Sequence, residues 1–346
     1  MTVRLRAPVP ADASAVHAVL AARETADLGA PKTTFGDLRD AWAATELDLD
    51  RDAVVAELDG AGVAAYATVR RIGSLAAVAP AHEGRGIGPR VLAWVEARER
   101  ERAARPHRQL IAATNSGAAE LLLAAGYRLA GSNLRMVRPF REAAGGLTEP
   151  DLRVDVVLRA LDTAADAERL HELDEISFAD EPLYESMSLA AFREELLGAH
   201  DLDPELSGVA TDGGEIAGFL LCLHRRDDAV AYVNVLAVDP AHRRRGIATA
   251  LLRRTFAAAA AVGLRHAQLT VDADNEPAVR LYERAGMRPH YRSDIYERAL
   301  DTAAPAAVGP RDPAPPPPPP QLRFERPRRR PAGSAGDAPP GASQPP

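Results

Sequence analysis

The chain has 346 residues, of which 46% are hydrophobic and 26% are charged. These values are typical of a globular protein with room for two ordinary domains. The net charge of −7 argues against a protein that coats nucleic acid, because such proteins carry a basic excess. The single cysteine, Cys222, excludes an intramolecular disulfide and favours a reducing compartment. The N-terminal segment has no signal-peptide core and no apolar stretch spans a bilayer, so we expect a cytoplasmic protein without a membrane partner.

The sequence repeats itself at an offset of 160 residues. VAPAHEGRGIG, which begins at Val78, returns as VDPAHRRRGIA from Val238, and Asn115 returns as Asn275. The openings LRAPVPADASAVH and LRALDTAADAERLH also correspond. Duplication on this scale predicts two domains rather than a solenoid. We place them at residues 1–140 and 153–300, joined by a linker at 141–152 that carries two glycines and a proline.

Each copy is predicted to run strand, helices, strands, helix, strand, helix, strand. In the second copy, the turn residues Asp212-Gly213-Gly214 predict a hairpin. Ser188 is the predicted N-cap of its second helix. The predicted elements of this copy are strands at 154–161 and 231–238, a strand from His266, a closing strand from Tyr291, and helices at 164–177, 189–199, 247–261 and 276–285.

Beyond about residue 300 the composition changes to Pro, Gly, Ala, Ser and Arg, with PAPPPPPP at 313–320. Such a segment has too few apolar side chains for a core, so residues 301–346 are predicted to be disordered, with local polyproline II structure. A docking peptide for a proline-recognition domain is the alternative interpretation.

The segment RRRGIA, residues 243–248, lies between a predicted buried strand and a predicted helix. Gly246 and the small Ala248 allow the backbone to approach a ligand closely. The helix start adds free amides and the positive end of the helix dipole, which together predict an anion site. A solvated glycine turn is the alternative. The segment is not a P-loop, since no Gly-Lys-Ser/Thr follows, and its spacing is not that of the dinucleotide fingerprint.

This loop is followed by D-x-D-N, ending at Asn275, and by A-x-x-L-Y-x-x-x-G-M from Ala278. In this context it closely resembles the GCN5-related N-acetyltransferase (GNAT) family, and the tandem arrangement is similar to that of mycothiol synthases. The resemblance implies an α/β fold in each copy, a mixed, mostly antiparallel sheet flanked by helices, with acetyl-CoA between the fourth and fifth strands. The cofactor-binding residues that it implies are Leu236, Ala237, Val238, Arg243, Gly246, Ala248 and Asn275. Arg244 and Arg245, which add positive charge, and Ile247 of the same loop complete the predicted set.

Acetyl transfer from a thioester to an amine needs an unprotonated amine and a proton donor for the departing thiolate, but no protein nucleophile. Tyr282 lies two helical turns after Asn275, and the resemblance implies that it is the general acid. A tyrosine packed on a helix face is the alternative. Cys222 lies in the apolar run FLLCL and is predicted to be a core residue. We find no metal-ligand spacing and expect no metal cofactor.

The sequence leaves the general base unassigned. The predicted fourth strand, AYVNVLAV, has no acidic residue, whereas members of the family often carry a glutamate there. Tyr232 and Asn234 on this strand are candidates to hold a water molecule. Asp180, Glu181 and Glu185 lie in a segment where the family often binds its acceptor, and their charge would favour a cationic amine of a small molecule or a peptide. An ordinary solvated loop is the alternative.

The first copy differs where chemistry would be affected. Leu122 stands in the place of Tyr282, and Glu83 stands in the place of Arg243. Pro89 removes one amide from the helix start. We therefore expect this copy to be catalytically silent.

The sequence thus predicts an acetyl-CoA-dependent N-acetyltransferase that is active in residues 153–300. The first copy keeps the glycines of its loop and is expected to bind CoA weakly, if at all. A non-catalytic tandem GNAT module that binds acyl-CoA for regulation is the main alternative, and a mycothiol-synthase-like acetyltransferase is another. Nucleic-acid binding is disfavoured by the charge.

Overall fold

The structure is a computed structural model, and it describes residues 2–43, 47–70, 73–102, 106–140, 156–179, 181, 184, 186–226 and 228–300. We call residues 2–140 the first half and residues 156–300 the second half. The predicted linker and the predicted disordered tail lie outside the described residues. Within the described ranges, no helix is long and apolar enough to cross a membrane.

The first half alternates strands and helices in the predicted order. Its Asn115 caps a helix by accepting a hydrogen bond from the Ala118 amide at 3.0 Å, which satisfies one of the free donors of the first turn. The elements are β1 Val3–Arg6, α1 Ala13–Leu28, α2 Phe35–Ala43, α3 Leu49–Asp52, β2 Ala53–Leu58, β3 Gly62–Arg70, β4 Gly73–Val78, α4 Ile87–Arg102, β5 His107–Ala112, α5 Ser116–Ala124 and β6 Arg128–Pro139.

The second half repeats this order. The predicted hairpin turn is confirmed, and Gly213 and Gly214 take φ values of 60° and 95°, which glycine adopts without strain. Ser188 caps its helix as predicted, but α-helical geometry there gives way to a π-helical turn at Arg193–Leu197. The elements are β7 Val156–Arg159, α6 Ala167–Phe178, α7 Leu189–Phe192, β8 Gly208–Asp212, β9 Glu215–Arg225, β10 Val230–Val238, α8 Ile247–Ala261, β11 His266–Asp272, α9 Glu276–Arg284 and β12 Arg288–Arg298.

The described strands form one mixed sheet in the order β1-β2-β3-β4-β5-β12-β6-β11-β10-β9-β8-β7. Among them, only β4 with β5 and β10 with β11 pair in parallel, which confirms the predicted mixed, mostly antiparallel α/β fold. The last strand of each half is exchanged. Strand β12 pairs with β5 of the first half, β6 pairs with β11 of the second half, and β6 and β12 pair with each other.

Alanine, leucine and valine side chains make up most of the cores, in keeping with an aromatic content of only 5%. The second-half core packs α8 against the sheet, with Leu251 and Phe256 fully buried. Cys222 is buried in the same cluster, and burial raises the pKa of its thiol. The cysteine is therefore a core residue, as predicted. In the first half, Ile87, Val91 and other side chains of α4 pack against β2 and β3 in the same way.

Candidate active site

Each half opens a cleft where its parallel strand pair separates. Strands β10 and β11 pair only from Val230 to Tyr232 on the β10 side. Beyond Tyr232, β10 continues to Val238 with β9 as its one described partner. The corresponding strands of the first half, β4 and β5, are joined through a single pair, Ser74 with Gln109. Residues 233–238 therefore present one backbone edge to the cleft, with the amide and carbonyl groups that an extended ligand needs.

A β-bulge marks the second-half cleft. The register of β10 against β9 shifts between Val233 and Val235, so Asn234 lies outside the regular ladder, and it is exposed. Strand β4 pairs with β3 without such a shift. Bulges redirect side chains and release backbone groups, and they are frequent beside active sites. The sequence carried no signal for this bulge, and it distinguishes the two clefts at the strand that borders each of them.

The predicted anion loop lies at the start of α8. Gly246 is the N-cap of this helix, with a φ of 84°, so the amides of Ile247 and Ala248 fall in the first turn, where helix donors lack intrahelical acceptors. Arg244 takes a φ of 62°, at the position that Gly84 occupies in the first half. A left-handed conformation costs a non-glycine residue about 1–3 kcal/mol and is often found at functional sites.

The three arginines of this loop differ in their contacts. Arg243 donates to the carbonyl oxygens of Val238, at 3.3 Å, and Ser177, at 3.2 Å. Arg245 pairs with Asp212 at 2.8 Å. Arg244 is exposed. Arg243 is thus hydrogen-bonded at the rim of the cleft, whereas Arg245 contacts the hairpin turn.

Asn275 links the two sides of the second-half cleft. Its side-chain oxygen accepts a hydrogen bond from the Ala278 amide at 3.1 Å and so caps α9. Its amide nitrogen donates to the Glu181 carboxylate at 2.9 Å. Glu181 is therefore at the cleft, whereas Asp180 and Glu185 of the same predicted acceptor segment lie outside the described residues.

Tyr282 lies on α9 and packs, half-buried, against the second-half core. Burial raises the pKa of its hydroxyl to about 12, because the charged phenolate is disfavoured away from water. The group therefore keeps its proton throughout the neutral range. Among the described residues, no side chain hydrogen-bonds to this hydroxyl, which leaves it available to a ligand.

The two halves share contacts as well as sequence. His17 on α1 contacts the Thr33 carbonyl at 3.0 Å, and His171 on α6 contacts the Met187 carbonyl at 2.8 Å. His171 follows His17 by 154 positions, and Met187 follows Thr33 by the same number. The residues of α1 and α6 therefore correspond one to one at this offset. Asn115 donates to Asp27 at 3.2 Å, which is the counterpart of the contact between Asn275 and Glu181.

A third contact pair changes its chemistry between the halves. Arg23 on α1 forms an ion pair with Glu83 in the first half. The corresponding second-half residues are Ser177 and Arg243, and there the arginine donates to the serine carbonyl. The two positions stay in contact, while the residue at the loop position changes from the negative Glu83 to the positive Arg243. The loop of the second half is therefore the better match for an anion.

These correspondences predict the lining of the second-half cleft. The first half contains a cavity of about 730 Å³, within the range of small-molecule sites. Its lining residues include Leu20, Arg23, Asp27, Gly86, Asn115 and Leu122. Their second-half counterparts are Asp174, Ser177, Glu181, Gly246, Asn275 and Tyr282. At two positions an apolar side chain of the first half is thus replaced by a titratable one.

Asp174 is one of these replacements and is an acidic group that the sequence reasoning did not single out. Only 4% of the residue is exposed. Burial raises the pKa of its carboxyl, and a hydrogen bond from the Tyr184 hydroxyl, at 2.9 Å, acts in the opposite direction. The same hydroxyl lies 2.9 Å from Glu175. The signal that was available is the alignment of α1 with α6, which places Asp174 opposite Leu20.

Tyr232 lies at the point where β10 and β11 separate. Its hydroxyl contacts Thr270 on β11 at 3.2 Å. The guanidinium groups of Arg225 and Arg135 lie 4.4 and 4.9 Å from the centre of its ring. Tyr232 is therefore held by neighbours on the sheet.

A strand pair that separates beside a glycine loop and a helix N-terminus is the arrangement that the resemblance to the GNAT family implies. Residues 167–287 match the Acetyltransferase (GNAT) family. The chain is 33% identical over 250 residues to a mycothiol acetyltransferase of Clavibacter michiganensis subsp. michiganensis, covering 71% of this chain and 79% of that one. It is 32% identical over 303 residues to a mycothiol acetyltransferase of Geodermatophilus obscurus, covering 84% and 95%. The chain belongs to the GNAT acetyltransferase family, as a tandem GNAT protein similar to these enzymes.

Solved structures agree with this assignment. A GCN5-related N-acetyltransferase from Sphaerobacter thermophilus superposes with a TM-score of 0.75 at 26% identity, covering 86% of this chain and 96% of that one. A tandem GNAT protein from the clavulanic acid biosynthesis pathway gives a TM-score of 0.63 at 18% identity, covering 90% and 100%, and supports the fold alone. The protein is an acyltransferase, and its family uses acetyl-CoA as co-substrate.

Proposed function

We propose that the protein transfers an acetyl group from acetyl-CoA to a primary amine by direct attack, and that the second half carries the reaction. One observation supports this most strongly. Where the first-half cavity is lined by Leu20 and Leu122, the corresponding second-half positions hold Asp174 and Tyr282. Acyl transfer to an amine has to move two protons, and only the second half has a titratable group at each position.

The loop residues fit the CoA pyrophosphate. The amides at 246–248 and the positive end of α8 attract the phosphates, and Arg243 and Arg244 add charge from exposed positions. The free edge of β10 at residues 236–238 pairs with the pantetheine arm, whose amides need backbone partners. Asn275 contributes from the opposite side of the cleft. The first half has Glu83 at its loop and so binds CoA weakly or not at all.

Tyr282 is the proposed general acid. The amine nitrogen forms a bond to the thioester carbonyl carbon, the carbon–sulfur bond breaks, and the departing sulfur takes the proton of the Tyr282 hydroxyl. A tyrosine hydroxyl is protonated at neutral pH, so Tyr282 holds its proton at the start of each turnover, and solvent restores it afterwards.

Asp174 is the proposed general base. A carboxyl with an ordinary pKa is a weak base, and burial moves that of Asp174 upward, toward the operating pH at which proton transfer is most effective. Its carboxylate accepts the proton that the amine loses, and the hydroxyl of Tyr184 orients it. This assignment supplies the base that strand β10 lacks.

The proposed acceptor is a small-molecule primary amine. Asp174 and Glu181 give the α6 side of the cleft a negative charge that favours a cationic amine. The relatives described above are mycothiol acetyltransferases, so the amine that those enzymes acetylate is the first acceptor to test. A reducing, cytoplasmic setting agrees with the single cysteine.

The test is release of the CoA thiol from acetyl-CoA in the presence of a panel of amines that includes the mycothiol acetyltransferase substrate, aminoglycosides and peptides. We expect amine-dependent release with at least one small molecule and formation of its N-acetyl product by mass spectrometry. Acetyl-CoA binding without turnover on any amine would instead identify a regulatory module.

A further inference from the structure

The cavity of the first half extends beyond the cleft between β4 and β5. Its far wall is formed by the exchanged strands and their neighbour, through Asn133 and Arg135 of β6, Tyr291 and Ser293 of β12, and Thr270 of β11. Arg135 pairs with Tyr291 on one side and with Thr270 on the other, so these side chains lie on one face of the sheet. The first-half cavity is thus completed by the second half.

Arg135 is an isolated buried cation in this wall. Only 8% of the residue is exposed. Its Nε donates to the Tyr291 hydroxyl at 3.2 Å, and its Nη1 is buried without a hydrogen-bond partner. Its guanidinium lies 4.9 Å from the ring centre of Tyr232 and 5.8 Å from that of Tyr291. Within the described ranges, no carboxylate forms an ion pair with it.

The acids that line the cavity are already engaged. Glu24 accepts hydrogen bonds from the amides of Lys32 and Thr33. Asp27 pairs with Arg23 at 2.5 Å, and Glu83 pairs with the same arginine. None of these groups neutralises Arg135. A guanidinium stays charged at all relevant pH values, and burying it without a partner opposes folding.

We propose that Arg135 is the anchor of a binding site for a small organic acid, whose carboxylate pairs with the guanidinium while its apolar body lies in the first-half cavity. The planar fork of arginine matches a carboxylate, and Nη1 offers the unused donor. Leu75, Leu110 and Leu121 supply an apolar lining to the same cavity. The site goes beyond the proposed acetyl transfer and does not depend on it.

The charge balance favours a carboxylate over a phosphate. One unpaired buried cation neutralises one negative charge, whereas a phosphate dianion needs a second cation beside it. The neutral hydroxyls of Tyr291, Ser293 and Thr270 complete the polar end of the cavity and suit the remaining lone pairs of a carboxylate. Two sources offer this chemistry, a free acid and an acyl thioester whose chain ends in a carboxylate.

The test is isothermal titration of the full chain with hexanoate, hexanamide and hexyl phosphate. We expect saturable binding of hexanoate, and much weaker binding of the neutral amide. Arg135→Met should weaken hexanoate binding by at least tenfold, and Arg135→Lys, which keeps the charge but loses the fork, should give an intermediate loss. Arg225→Met is the matched control, because Arg225 stacks on the same Tyr232 ring without lining the cavity, and it should change affinity by less than twofold.

Titration of Gly246→Glu, in which acyl-CoA binding to the second half is weakened, with adipoyl-CoA and hexanoyl-CoA separates the two sources. If adipoyl-CoA binds more tightly than hexanoyl-CoA and Arg135→Met removes this difference, the ligand is the acyl thioester. If the two thioesters bind equally and hexanoate binding depends on Arg135, the ligand is the free acid. Absence of hexanoate binding, or equal binding by wild type and Arg135→Met, would overturn the proposal, as would a preference for hexyl phosphate. If Arg135→Met does not fold, hexanoate affinity is measured in Arg135→Lys and Tyr291→Phe instead. Wild-type affinity for hexanoate in both variants would overturn the proposal.

Discussion

The anion loop gives the sharpest test of which half binds acetyl-CoA productively, because both halves carry a glycine at the same position. Gly246 and Gly86 take φ values of 84° and 74°, so any side chain costs about 1–2 kcal/mol of strain at either site. Gly246→Ala and Gly86→Ala therefore report the strain together with the bulk of a small side chain. Gly246→Glu and Gly86→Glu add a negative charge to these effects.

The magnitude of the charge effect follows from Coulomb's law. A carboxylate about 4 Å from one phosphate charge is repelled by about 4 kcal/mol at the effective dielectric constant of a protein surface. Since about 1.4 kcal/mol corresponds to a factor of ten, Gly246→Glu should weaken acetyl-CoA binding about 1,000-fold relative to Gly246→Ala. Turnover at fixed acetyl-CoA should fall with it. Gly86→Glu should leave turnover within about twofold of Gly86→Ala.

Isothermal titration measures the binding, and release of the CoA thiol measures the turnover. Thermal unfolding of all four variants checks that the proteins are folded. Acetyl-CoA affinity in Gly246→Glu within threefold of that in Gly246→Ala would refute the placement of the pyrophosphate. Loss of turnover in Gly86→Glu, with turnover kept in Gly246→Glu, would move the active site to the first half.

Two further variants test the proposed base and one ion pair of the fold. Asp174→Asn should lower kcat by about 100-fold or more, whereas Glu172→Gln, an exposed acid on the same helix, should leave it unchanged. The rise of kcat with pH through the raised pKa of Asp174 should also disappear, and a rise that survives in the variant would exclude this base. Asp166 accepts two hydrogen bonds from Arg159, at 2.6 and 2.7 Å, and one from the Asp162 amide. Burial opposes ionisation of its carboxyl, but these bonds prevail and lower its pKa. A carboxyl whose pKa is lower in the folded than in the unfolded protein stabilises the fold fully at pH values above its unfolded pKa, near 3.9. This contribution is lost as the pH falls through the pKa of the folded protein. Asp166→Asn should therefore cost about 2 kcal/mol at pH 7 and lose less stability on acidification than the wild type in urea unfolding; equal losses would contradict this account.

The sequence was sufficient for the order of the elements and for the loop, because both are local. The apolar run of β10, the glycine at the start of α8 and the hairpin glycines can each be recognised within a few residues of sequence. Exchange of β6 and β12 has no local signature, since either strand satisfies the same pattern beside either half. The repeat in the sequence identified two copies but not which copy each last strand completes.

The proposed polar groups of the site also differ in how far the sequence alone could identify them. Tyr282 was proposed from the sequence because its position on a helix is part of a recognisable pattern. Asp174 was not proposed, although the alignment of the two openings places it opposite Leu20, because the sequence does not show that Leu20 lines a cavity. Nothing in the sequence around Arg135 distinguishes it from an ordinary arginine on a strand. Its isolation arises from the exchange of strands, which places it between Tyr291 and Thr270 of the other half.

If the second half transfers the acetyl group with Tyr282 as acid, Tyr282→Phe should remove most of the turnover. The change removes one oxygen and leaves the packed ring in place. We expect a fall in kcat of at least about 100-fold, with the acetyl-CoA dissociation constant within about twofold of wild type. Tyr296→Phe, at another buried tyrosine, should be neutral for kcat. A kcat for Tyr282→Phe within threefold of wild type, measured at saturating acetyl-CoA, would contradict the account.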